Sequence, residues 1–81
     1  MPYLRLFGPA RTAAGLPIAE VAEIAGTTVG EVLAAATARF GPAFGEVADT
    51  AQVWVNGEAA TADESVDEED EVAVVPPVSG G

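Results

Sequence analysis

The stretch Thr28-Val29-Gly30-Glu31-Val32-Leu33-Ala34-Ala35-Ala36-Thr37-Ala38-Arg39-Phe40-Gly41-Pro42 carries both ends of a helix in its own letters. Thr28 and Glu31 stand at capping-box spacing: the threonine hydroxyl can accept from the third helical amide, and the glutamate can reach back to the cap. Val29, Val32, Leu33, Ala36 and Phe40 recur every three or four residues and form one apolar stripe. Gly41 supplies a left-handed stop, and Pro42 cannot continue the helical ladder. The spacing predicts a helix over residues 28–40.

Working outward on the N-terminal side, Tyr3-Leu4-Arg5-Leu6-Phe7 alternates as a strand does, with Leu4 and Leu6 on one face and Arg5 and Phe7 on the other. Gly8-Pro9 ends it, because proline donates nothing to a sheet ladder. A small-residue segment through Gly15 leads to Ile18-Ala19-Glu20-Val21-Ala22-Glu23-Ile24, which reads as a second strand, although a short helix satisfies the same periodicity. On the C-terminal side, Phe44 and Val47 fit a short turn of helix. Gln52-Val53-Trp54-Val55 is a strand, and Asn56-Gly57 a tight-turn pair that tolerates positive φ. Asp67-Glu68-Glu69-Asp70 reads as a solvated turn opening into a last strand, Glu71-Val72-Ala73-Val74-Val75.

The order is strand, strand, helix, strand and terminal strand. It fits an α+β fold with a mixed sheet and one main helix laid across one face, the ubiquitin-like β-grasp arrangement. Residues 1–75 form that domain and 76–81 a tail. Parity sends Leu4, Leu6, Val53, Val55, Val72 and Val74 toward the helix. It leaves Arg5, Phe7, Trp54, Ala73 and Val75 on the opposite, uncovered face, where an apolar cluster is more informative than an apolar core. Such a face either docks a partner or merely shields the sheet edge.

Composition narrows the chemistry. The chain has 81 residues, 13 acidic and 3 basic, with no histidine and no cysteine, for a net charge of −10. One domain fits in that length. The lack of Cys and His removes zinc ligands, a thiol nucleophile, a disulfide framework and an imidazole base. There is no lysine, hence no side-chain amine for Schiff-base or isopeptide chemistry. The acid surplus repels phosphate, which argues against nucleic acid or an anionic membrane and for a basic protein surface. No stretch approaches the ~20 apolar residues of a membrane span, so a cytoplasmic protein is expected. Asp67 to Asp70 lacks the spacing of a calcium loop, and no metal site is expected.

The sequence ends Val75-Pro76-Pro77-Val78-Ser79-Gly80-Gly81. The two prolines end the ladder and begin a stiff stalk. The four residues past Pro77 reach at most ~13–14 Å. A Gly-Gly end is the narrowest peptide available and can thread a channel closed to any side chain. The Gly81 carboxylate is an anion at neutral pH and a poor electrophile. An external ATP-dependent enzyme would have to adenylate it, and a sulfur donor could then leave a thiocarboxylate. This chain has no P-loop and no base but carboxylates, so it reads as passenger rather than catalyst. A terminal Gly-Gly also occurs as a plain flexible end.

Leu6-Phe7, Ala10-Arg11, Gly15, Thr28-Val29, Val55-Asn56 and Asp70-Glu71-Val72-Ala73, followed by the Pro-Pro-Val-x-Gly-Gly ending, together resemble the MoaD/ThiS family of sulfur carriers. The paired prolines place the resemblance closest to the MoaD branch, the small subunits of molybdopterin synthase. It implies adenylation of Gly81 by a MoeB-type enzyme using ATP, a C-terminal thiocarboxylate, and no bound cofactor. It further implies insertion of the tail (Pro76, Pro77, Val78, Ser79 and Gly80 behind Gly81) into a MoaE-type large subunit, within a heterotetramer that builds the molybdopterin dithiolene. Phe7, Ala59 and Val75 match partner-contact positions of the family, Ala59 and Val75 being smaller than the residues often found there; Trp54 joins them by parity. Carriers for thiamin, cysteine or thio-metabolite pathways, a ubiquitin-like protein modifier, and a plain binding module are the competing readings.

Overall fold

A computed structural model describes residues 1–15 and 21–76 of the chain. β1 (Tyr3–Leu6), α1 (Gly8–Ala14), β2 (Val21–Glu23), α2 (Val29–Phe40), α3 (Pro42–Thr50), β3 (Gln52–Val55), β4 (Glu58–Ala59) and β5 (Glu71–Val75) follow in that order. The strands form one mixed sheet in the order β2-β1-β5-β3-β4. β1 and β5 lie parallel at its centre, and the other pairs are antiparallel. This is the β-grasp arrangement expected from the pattern.

The capping threonine behaves as the sequence predicts, the Thr28 hydroxyl accepting from the Glu31 amide at 3.1 Å. The reciprocal bond is displaced by one residue. Glu31 Oε1 accepts from the backbone amide and the hydroxyl of Thr27, both at 2.8 Å, and not from the cap itself. The amides of Val29 and Gly30 donate to the carbonyls of Glu64 and Ala62, so residues 62–66 close over the start of α2.

Four expectations need correction. Gly8-Pro9 ends the first strand but also begins a helix, where the reading had only a small-residue segment. Proline in a first helical turn sacrifices an amide that had no partner there anyway, and the Gly15 cap at φ 75° closes the helix. Residues 42–50 form a full nine-residue helix rather than a short turn. Pro42 does stop α2, yet it sits in the first turn of α3, and Gly41 takes the positive φ that favours glycine, at φ 102°, ψ 173°, outside the αL region of the expected cap. The order also lacked β4, a two-residue return strand paired with Trp54 and Val55. Of the expected second strand, Val21 to Glu23 are strand, while Ile18, Ala19 and Glu20 lie outside the described residues.

The core sits between the sheet and the three helices. Leu4, Leu6, Val72 and Val74 contribute the sheet side, with Val53 and Val55 partly buried against them. Val29, Val32 and Ala36 of α2, Phe44 and Ala48 of α3, and Ala10 of α1 face them. Phe44 is fully buried and meets Phe40 edge-on at 5.4 Å. Leu33, placed in the apolar stripe, is only partly buried.

Candidate functional site

Sheet register builds the open face one row at a time. Val21, Arg5, Ala73, Trp54 and Ala59 stand opposite one another across all five strands. A second row brings Glu23, Tyr3 and Glu71 together. The Phe7 amide donates to the Val74 carbonyl at 3.2 Å, which extends the parallel ladder by one residue and sets Phe7 near Val75. Val75 in turn pairs with Gln52. The parity reading of the two faces therefore holds for Arg5, Phe7, Trp54, Ala73 and Val75, and the pairing of Ala59 with Trp54 adds Ala59 to the same face.

This face is amphipathic. Phe7 and Tyr3 are 44% and 42% exposed, while Trp54, Ala73 and Val75 are half-buried by their strand neighbours. Arg5 pairs with Glu71, Nε to Oε2 at 3.2 Å. Both side chains are part-exposed and reached by solvent, so the pair contributes little stability and leaves a polar strip beside the apolar one. Tyr3 and Glu71 were missed as members of the face, though Tyr3 shares the parity of Arg5 and Phe7.

The acidic segment also departs from expectation. Glu68 and Glu69 are solvated, but Asp70 is a structural tie. Its carboxylate accepts from the Asp67 amide and from Asn56 Nδ2, both at 2.8 Å, and Asn56 Oδ1 accepts from the Glu71 amide at 3.0 Å. The Tyr3 amide donates to the Asp70 carbonyl at 2.9 Å. The bond from Asp67, then that from Asn56, holds the Asp70 carboxyl below the usual aspartate range. Asn56 at φ 51° and Gly57 at φ 85° form the tight hairpin turn, which positive φ at both central residues permits. One aspartate and one asparagine thus lock the start of β5 to β1 and to the β3–β4 turn. That lock fixes the strand from which the tail departs.

Pro76, half-buried, is the last described residue. Pro77, Val78, Ser79, Gly80 and Gly81 lie outside the described residues. No group of side chains suited to a metal ion occurs among the described residues, and none of their helices is long and apolar enough to cross a membrane.

A ubiquitin-like β-grasp body, with an apolar open face and a last strand pinned at its start, places the chain in the class of small ubiquitin-like proteins. The ThiS family model matches residues 4–81, and the chain belongs to that family. The small archaeal modifier protein 1 of Haloferax volcanii is 33% identical, with a TM-score of 0.78 over 99% of this chain and 98% of that one. The small archaeal modifier protein 1 of Methanosarcina acetivorans is 26% identical, with a TM-score of 0.84 over 99% and 95%. A putative molybdopterin converting factor, subunit 1, from Pyrococcus furiosus is 27% identical, with a TM-score of 0.76 over 95% and 97%. The chain is a small ubiquitin-like protein of the sulfur-carrier type.

Proposed function

We propose that this chain carries sulfur on the Gly81 carboxylate as the small subunit of a molybdopterin synthase. The observation that carries the reading is the family match running through Gly81 itself. The Pro-Pro-Val-Ser-Gly-Gly ending and the likeness to a putative molybdopterin converting factor subunit support the pathway. The carboxylate oxygen attacks the α-phosphorus of ATP on a MoeB-type enzyme, giving the acyl-adenylate and pyrophosphate. A sulfur nucleophile then adds to the acyl carbon and AMP leaves, so that the carbonyl carbon bears sulfur. A MoaE-type large subunit receives the tail and passes the sulfur to the pterin precursor. Phe7, Trp54, Ala59 and Val75 dock the body on both partners, and Gly80, Ser79, Val78, Pro77 and Pro76 form the narrow lead into the channel.

A second reading has a specific observation behind it, the 33% identity to an archaeal modifier protein. There the same activated Gly81 is joined to an amine of another protein. Incubation with ATP, the activating enzyme and sulfide should add the mass of one oxygen replaced by sulfur. A variant lacking Gly81, or extended beyond it, should gain nothing. Loaded chain mixed with the large subunit and the pterin precursor should then yield molybdopterin. A loaded chain that gives no molybdopterin but forms isopeptide adducts would favour the modifier. An extended variant that still receives and delivers sulfur would sink the carrier reading altogether.

A further inference from the structure

A short apolar groove lies where α1, α3 and the end of β5 meet. Pro9 and Ala13 line it from α1, Ala43 and Val47 from α3, and Pro76 from the chain just past β5, around a volume of about 460 Å³. Glu46 is the charged group of its lining. Ala13 and Val47 pack partly against the core, whereas Pro9, Ala43 and Glu46 are exposed. The groove lies on the helix side of the sheet, apart from the face that carries Phe7 and Trp54.

Its position relative to the tail gives it meaning. Val75 belongs to the open face by register, and the next residue, Pro76, belongs to the groove. The tail therefore leaves from a ridge with one apolar surface on each side. Five residues follow Pro76 in the sequence, a reach of no more than ~17–18 Å. A single layer of secondary structure is already ~10–12 Å thick. An enzyme that holds the Gly81 carboxylate in a water-excluding site consumes most of that length in its own wall. Its lip must come close to Pro76, within reach of both flanks of the ridge.

We propose that the α1–α3 groove docks the lip of the tail channel of the ATP-dependent activating enzyme. The lip places an apolar side chain over Ala43 and Val47 and a basic one against Glu46, as the chain's net charge of −10 favours. This rests on the reading of Gly81 as the activated group. It adds a second surface to the open face, so the footprint wraps around the root of the tail.

The test uses the full chain and the activating enzyme of its own genome. Ala43→Trp fills the groove, Glu46→Arg reverses its charge, and Ala38→Trp on the exposed side of α2 is the control; all three positions are exposed, so unchanged melting verifies the fold. Ala43→Trp should lower kcat/KM for ATP-dependent activation by about tenfold or more, mainly through KM, and Glu46→Arg by roughly threefold. Ala38→Trp should stay within about twofold of wild type. In methyl NMR, the Ala13 and Val47 signals should shift when enzyme is added and not on dilution. Normal activation of Ala43→Trp overturns the proposal while leaving the role of Gly81 standing. Contacts between Val78 and Ala43 methyls without enzyme give the groove to the chain's own tail, and concentration-dependent shifts give it to a second copy; either overturns it too. Failure of wild type to be activated at all overturns the reading of Gly81 as well.

Discussion

On the inner face of the sheet Leu4, Leu6, Val72 and Val74 are at most 5% exposed, whereas Tyr3 and Phe7 on the outer face are 42% and 44% exposed. Both sets come from alternate positions of β1 and β5 and the residue just beyond β1, and they have similar apolar character. What separates them is which side received three helices. The helix-covered side converts apolar area into stability. The bare side keeps its area exposed, and it is this area that the proposed function assigns to partner docking. The lesson is that hydrophobicity alone does not assign a residue to the core or to the open face; its parity within a strand does.

The sharpest way to break that contrast is a core truncation. Phe44→Ala empties a fully buried aromatic site and should cost ~3–5 kcal/mol in denaturant unfolding, with partner affinity per folded molecule unchanged. An affinity that falls in step would mean the two faces are not independent. The converse change is Phe7→Ala. It should alter stability by less than about 1 kcal/mol and weaken binding to the activating enzyme by about tenfold or more in calorimetry. Normal binding by a chain that unfolds readily would reverse the assignment of the faces. Val75→Asp should act in the same sense.

A smaller effect distinguishes the tie beneath the faces from the faces themselves. Because the folded-state pKa of Asp70 is depressed, its stabilisation is present above the ordinary aspartate range, near about pH 4, and is lost as pH falls through the lower folded value. Thermal melts should show the wild-type Tm dropping below about pH 4. Asp70→Asn should lower Tm at neutral pH and shrink that acid-induced drop. An unchanged acid limb would show that the bonds from Asp67 and Asn56 do not govern it.

The least effect is expected from the acidic turn. Glu68 is 91% exposed, in a 3.9 Å contact with the terminal amine, and such a pair contributes little. Neutralising Glu68 and Glu69 should slow association with a basic partner by roughly two- to fivefold at low salt and leave dissociation nearly unchanged. The difference should vanish as the Debye length shrinks from ~10 Å at 0.1 M to ~3 Å at 1 M. An on-rate indifferent to salt in both chains would remove the turn from any account of docking.

How much of this was legible follows the range of each interaction. α2, β3 and β5 were readable because caps, alternation and turn residues act within a few positions of chain. The capping hydroxyl of Thr28 and the Asn56-Gly57 turn are of that kind. α1 was missed because Gly8-Pro9 satisfies two local rules at once, ending a ladder and opening a helix, and the second shows only when Ala10 is seen packed in the core. α3 was underestimated because Phe44 and Ala48 face a core assembled from distant elements. Asp70 was read as one solvated charge among four, since one of its two partners, Asn56, lies fourteen positions away and the other, the Asp67 amide, meets it only through the turn's conformation.

The sequence by itself determined the periodicities, the composition that leaves no thiol, imidazole or lysine amine, and the Pro-Pro-Val-Ser-Gly-Gly ending. Those are properties of single residues and near neighbours, and no tertiary contact can alter them. Tertiary structure alone decided that β1 and β5 meet in parallel, that Trp54 stands between Ala73 and Ala59, and that Pro76 borders a groove made by α1 and α3. Each of these is a contact between segments far apart in the chain. Its cost is the entropy of closing the loop between them and its reward is area buried jointly, neither of which is written in any one segment.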